Sequence, residues 1–169
     1  LQIQNSGTIG GNLCNASPAA DGAPPLLALD AEVELAGPRG LRRLPLSDFL
    51  LGNRRTALLS GELMTAVIVP RPDALGASAF LKLGARRYLV ISIVMAAAGL
   101  RIENGLIAEA RIAVGAAAPV ARRLRALEDH LRGKPADSSL DFYVTADSFH
   151  DISPIDDLRA TADYRRDAA

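Results

Sequence analysis

Gly7-Thr8-Ile9-Gly10-Gly11-Asn12-Leu13-Cys14-Asn15-Ala16-Ser17-Pro18-Ala19-Ala20-Asp21 is the stretch on which the reading of this chain turns. Glycines at 7, 10 and 11 predict a backbone-exposing loop, because glycine accepts positive φ and lets another group approach the main chain closely. The exposed N–H groups can cradle a phosphate or face a flat ring. Thr8, Asn12 and Ser17 add short donors and acceptors, and Asp21 offers a carboxylate to a ribose hydroxyl or ring N–H. As a generic glycine-rich run the stretch discriminates little, since most Gly-Gly pairs serve turns.

Outward from it, Asp21-Gly22-Ala23-Pro24-Pro25 punctuates the chain, and the proline pair predicts a short helix over 26–29. Residues 31–36 alternate Val33 and Leu35 with Glu32 and Glu34, as a half-buried strand does. A turn at 37–40 and a returning strand over 41–46 make a hairpin. A capped short helix follows over 45–50, then a strand over 62–69. Arg71-Pro72-Asp73-Ala74-Leu75-Gly76 is the clearest boundary. Beyond it come a strand over 79–86 and apolar runs over 91–102 and 106–114 around Asn104-Gly105, a strong hairpin signal. Residues 117–131 read as a helix opened by Pro119, with Val120, Leu124, Leu127 and Leu131 on one face. Further helices are expected over 139–149 and after Pro154. The residues alone thus predict an α+β protein of two lobes joined near 70–78.

Composition narrows the function classes. The chain is 49% hydrophobic and 22% charged, the balance of a packed protein. Nineteen basic and nineteen acidic residues cancel, which excludes bulk electrostatic capture of nucleic acid or anionic membrane as the main activity. A single cysteine, Cys14, excludes an internal disulfide and a self-contained four-cysteine cluster, and His130 and His150 are too few for a histidine-rich metal centre. The longest apolar stretch, 89–100, falls short of the roughly 20 residues of a membrane span, so no membrane insertion is expected. The first residues lack the charged and apolar regions of a signal peptide. The chain opens on Leu1, and we read it as a piece of something longer or a processed product.

The opening stretch, taken whole, resembles the second signature of the FAD-binding (medium) subunit of the molybdenum hydroxylases, the xanthine dehydrogenase, aldehyde oxidase and carbon monoxide dehydrogenase family. In that family a T/S-I-G-G-N loop and an A-S-P-x-x-D segment close over FAD; Thr8–Asn12 and Ala16–Asp21 fit both. The likeness continues through Leu44-Pro45-Leu46-Ser47-Asp48-Phe49, Gly61-Glu62-Leu63, Ala79-Phe80-Leu81-Lys82-Leu83-Gly84-Ala85-Arg86-Arg87 and Ile107-Ala108-Glu109-Ala110-Arg111-Ile112-Ala113. It ends on Ile152-Ser153-Pro154-Ile155-Asp156-Asp157 and Tyr164-Arg165-Arg166, so it covers nearly the whole chain.

The resemblance implies residues 1–72 as the second FAD-binding subdomain, a mixed sheet with short helices. Residues 78–169 are then a carbon monoxide dehydrogenase flavoprotein-like C-terminal domain, an antiparallel sheet packed on helices. It implies cofactor contacts at Thr8, Ile9, Gly10, Gly11 and Asn12, with Asp21 near the ribityl or ring region, Met64 as an apolar contact and Lys82 at the flavin edge. It names no catalytic acid or base and no metal ligand in this chain. The implied function is that of a cytoplasmic oxidoreductase subunit. It takes electrons from 2Fe–2S clusters in an iron–sulfur subunit, which serve a molybdenum-cofactor subunit, and passes them through FAD to NAD or another acceptor. Two departures bear on that expectation. The family's first glycine-rich signature, which grips the pyrophosphate, is absent, and the final helix stops at Asp167-Ala168-Ala169. The chain is therefore expected to make half of a flavin pocket and to be inactive as an isolated fragment. The alternative is a non-catalytic assembly module without stable flavin binding, acting through subunit contacts.

Plainer roles apply to the remaining side chains. Cys14 reads as a small buried hydrophobe with no cation to activate it. His130 suits a helix C-terminus, and His150 has an acid beside it but no nucleophile. Arg122, Arg123, Arg125 and Arg132 read as the solvated face of one helix, or as a docking surface for a partner subunit. Glu109 and Arg111 read as surface residues, Met64 as core, and Lys82 as an edge charge that discourages strand addition.

Overall fold

The computed structural model describes residues 6–71, 76–150 and 152–169; most of the expected boundary, 72–75, lies outside them. Helix α1 (Ile9–Asn15) and helix α2 (Ala23–Ala28) lead into strand β1 (Glu32–Gly37) and strand β2 (Gly40–Pro45). Helix α2 starts on Pro24 and Pro25, where proline forfeits only N–H groups that have no helical partner anyway. A four-residue helix, α3 (Leu46–Phe49), precedes the short strands β3 (Leu50–Gly52) and β4 (Arg55–Thr56), and β5 (Leu63–Ile68) returns along β1. The resulting sheet has the order β2-β1-β5. Val33 and Leu35 are fully buried while Glu32 and Glu34 are not, as the alternation requires.

The second sheet, β6-β7-β8-β9, is built from β6 (Ala77–Leu83), β7 (Val94–Glu103), β8 (Leu106–Gly115) and the two-residue β9 (Arg122–Arg123). Its central hairpin turns at Asn104 and Gly105, both at positive φ (52° and 76°), which the tight turn demands. The halves share a core: Leu13, Leu27, Leu35 and Phe49 pack in one cluster with Ala97, Ala113, Val120 and Ala121. Helix α2 lies on β7 and β8, so close that a Cβ on Gly115 would sit 2.8 Å from Pro24 Cγ. A second cluster holds Val94, Ile107 and Val114 against Leu124, Leu127 and Leu131 of the turn into helix α4 (Arg125–Leu131).

The α+β class stands, with five differences in detail. The first sheet pairs antiparallel throughout its described residues rather than mixed. Ile9–Asn15 is helical rather than part of a loop. Only Arg125–Leu131 of the expected 117–131 helix forms, because Arg122 and Arg123 pair with Val114 and Ala113 as β9. Leu124, Leu127 and Leu131 do share the buried face. The 139–149 helix is two 3-10 turns, Leu140–Tyr143 and Ala146–Phe149, whereas the helix expected after Pro154 is present as α5 (Ala162–Asp167). The four arginines do not form one solvated face, since Arg123 is buried in an ion-pair network. No helix among the described residues is long and apolar enough to cross a membrane.

One ion pair carries a pH signature. Arg42 forks onto both oxygens of Glu62 (2.7 and 2.8 Å), and Glu62 also accepts the Leu59 N–H. The guanidinium first, then the N–H, holds the Glu62 carboxyl down to about 2 against an ordinary 4.5. A depressed folded-state value means that the contribution is complete above 4.5 and disappears as pH falls to about 2. Urea midpoints of the wild type and Glu62→Gln should therefore differ at pH 6, converge below pH 4.5 and coincide near pH 2. A gap that persists unchanged at pH 2 would contradict this assignment.

Candidate functional site

Thr8 sits in extended backbone (φ −125°, ψ 155°) and caps α1, its Oγ1 accepting the Gly11 N–H at 2.9 Å. Its carbonyl accepts the Asn12 N–H at 3.0 Å. The cap explains why a glycine-rich segment is helical: neither Gly10 nor Gly11 has positive φ, and it is Gly11 whose lack of a Cβ leaves the Thr8 cap unobstructed. A Cβ on Gly11 would lie 2.9 Å from Thr8 Oγ1, and one on Gly10 would lie 3.7 Å from Met64 Sδ. The segment is anchored below by buried Leu13, Ala16 and Ala20. Two backbone bonds tie it to the rest of the molecule, Arg54 N–H to Ala16 O and Ala116 N–H to Pro18 O, both 2.9 Å.

Thr8, Ile9, Gly11 and Asn12 line one open groove of about 550 Å³ with Ser6, Gly7 and Gly22. Gly10 turns instead toward half-buried Met64 of β5. Asp21, next in the chain to Gly22, faces the second sheet: Lys82 of edge strand β6 forms an ion pair with Asp21 Oδ2. Asp21 Oδ1 accepts from Ser92 Oγ at 2.7 Å. Of the eight expected residues, Thr8, Ile9, Gly11 and Asn12 line the groove, Gly10 faces Met64, and Asp21 and Lys82 pair with each other outside the groove lining. Lys82 is not a free edge charge. Burial pushes the Cys14 thiol up, away from the reactive thiolate, in keeping with its plainer role.

Three functional or framework residues escaped the sequence. Ser92 is a lone hydroxyl in an apolar run, and nothing local announces its partner 71 positions away. Arg123 chelates Glu128 (2.5 and 2.7 Å) and reaches Asp30 and the Leu27 carbonyl. Arg165 of α5 donates to the Ile93 and Ala116 carbonyls and pairs with Asp157. Arginine one or two positions from exposed arginines gives no signal of burial.

The comparisons with known proteins agree with this geometry. Residues 1–72 match the family described as FAD binding domain in molybdopterin dehydrogenase, and residues 79–169 match the CO dehydrogenase flavoprotein C-terminal domain. The putative xanthine dehydrogenase FAD-binding subunit of Escherichia coli (strain K12) is 33% identical over 97% of this chain and 56% of its own length. The nicotinate dehydrogenase FAD-subunit of Eubacterium barkeri is 46% identical over 61% of this chain and 36% of its own. Among solved structures, carbon monoxide dehydrogenase from Hydrogenophaga pseudoflava superposes with a TM-score of 0.91 at 33% identity, over 99% of this chain and 58% of that one. The chain spans about half the length of the curated relatives that it matches along nearly all of its own length. With both of its halves matched in this way, the chain belongs to the family of FAD-binding subunits of the molybdenum hydroxylases.

Proposed function

We propose that this chain holds FAD along the groove of the Thr8–Asn12 turn, as the electron-transfer portion of a molybdenum hydroxylase. The carrying observation is the open groove lined by the Thr8-capped, glycine-bearing turn and Gly22, next in the chain to the Asp21 that pairs with Lys82. The donor set suits the cofactor: a hydroxyl, an amide side chain and bare glycine backbone on one side, a carboxylate–ammonium pair on the other. Gly11 and Asn12 would face the phosphate end, Ile9 and Met64 would pack apolar surface, and Asp21 with Lys82 would address the ring end. FAD supplies the redox chemistry when bound, and the chain binds, orients and polarises it.

In this reading, residues 1–72 form the flavin-binding part and 78–169 the C-terminal domain, and the assembly works in the cytoplasm. Molybdenum-cofactor and 2Fe–2S subunits would be the electron source, and NAD or another carrier the acceptor. The test is a fluorescence titration of FAD into the purified chain, with Gly11→Val as the control. Valine at 11 drives its Cβ against Thr8 Oγ1 and fills the groove wall. Saturable quenching by the wild type, weakened roughly tenfold or more in the variant, is expected. Equal quenching by both would place the flavin elsewhere, and none by either would refute binding by this chain.

A further inference from the structure

We propose that Ser92 is a positioning residue for the flavin site, fixing the carboxylate of Asp21 in the orientation it holds beside Lys82. The inference rests on the reading of the groove given above. Ser92 is 1% exposed, within Val90-Ile91-Ser92-Ile93-Val94. It lines a cavity of about 570 Å³ together with Asp157 and Arg165, and a buried hydroxyl is unfavourable unless it is hydrogen-bonded. Its bond is to Asp21 Oδ1 at 2.7 Å, a donation to a carboxylate and so stronger than one between neutral groups.

The two oxygens of Asp21 are thus divided between two elements of the second half, Oδ1 to Ser92 just before β7 and Oδ2 to Lys82 on β6. Their contributions differ. Lysine is a point charge on a flexible stem, which fixes proximity but not the plane of a carboxylate. Ser92 has one rotatable bond to its oxygen and sits on held backbone. The next residue, Ile93, donates its N–H to the Leu83 carbonyl at 2.8 Å and accepts from buried Arg165. The Asp21 side chain is itself nearly half exposed, so packing does not fix its plane. The hydroxyl does, and Gly22, the next residue in the chain, lines the groove.

The experiment compares wild type, Ser92→Ala and Ser92→Thr for FAD affinity, the visible spectrum of bound flavin and the urea midpoint. Ser92→Ala is expected to weaken FAD about tenfold and to shift the flavin band, and Ser92→Thr, which keeps the hydroxyl, to restore both. In an Asp21→Ala background, Ser92→Ala should change nothing further. Should Ser92→Ala fail to fold, Ser92→Cys keeps the volume, weakens the donor and should show the same shift. A lowered urea midpoint with unchanged affinity and spectrum would make Ser92 a structural staple and overturn the proposal. Wild type and Ser92→Ala binding FAD alike would overturn it while leaving the proposed function standing. No binding by the wild type would overturn both.

Discussion

Arg165→Ala is expected to lower the unfolding free energy by about 3 kcal/mol or more, enough to threaten folding outright. The Arg165 side chain is 2% exposed and ties together three separate segments. Nη1 donates to the carbonyls of Ile93 and Ala116, which end the approach to β7 and the exit from β8, and Nη2 meets Asp157 at 2.6 Å. Burial alone would raise the Asp157 carboxyl. The Arg159 N–H, the Arg165 guanidinium and the Ala160 N–H outweigh it and hold the carboxyl below its ordinary value. Alanine would leave two buried carbonyls without a donor, a carboxylate without its buried partner and a void the size of a guanidinium. The arrangement is not optimal, since Nε has no hydrogen-bond partner among the described residues. Arg165→Lys keeps the charge but not the fork and should fall between the two. Urea unfolding decides it. A loss under about 1 kcal/mol would mean that the buried fork contributes little net stability.

What the sequence disclosed follows from range. Strand β1 and its hairpin were legible because Val33 and Leu35 alternate with glutamates, and β7–β8 because Asn104-Gly105 admits few other turns. The 117–131 segment misled because Val120, Leu124, Leu127 and Leu131 satisfy a helical period. All four are buried, but the first half packs as chain running into β9, where Arg122 and Arg123 find a strand partner no local pattern reveals. At the site, glycine allowed both a loop and a helical turn. Thr8, three residues before Gly11, was the available sign of a cap. The residue set Thr8 to Asn12, Asp21, Met64 and Lys82 came from family likeness; that Asp21 meets Lys82 across 61 positions, with Ser92 completing the arrangement, is a product of the fold.

The same limit hid the network under α4, which yields the second large effect. Glu128 is buried, with its Oε1 accepting from Arg123 Nε at 2.5 Å and from the Ile112 N–H at 2.7 Å, and its Oε2 from Arg123 Nη2 at 2.7 Å. Glu128→Ala strands Arg123, whose side chain is 7% exposed, with only partly exposed Asp30 to balance it, and frees the part-buried Ile112 N–H of β8. A loss of about 3 kcal/mol is expected in urea unfolding. Two charges withdrawn from water recover little more than their desolvation cost, so an apolar pair of similar volume should do nearly as well. Arg123→Met combined with Glu128→Leu is therefore expected to recover at least half of that loss. Asp30 keeps Arg111 and Arg125 as partners in the double variant, at 3.4 and 3.1 Å, so no new lone charge arises. If the double variant is instead less stable than Glu128→Ala, the network contributes more than mutual neutralisation. The bonds to the Ile112 N–H and the Leu27 carbonyl would then be what holds α2, β8 and α4 together.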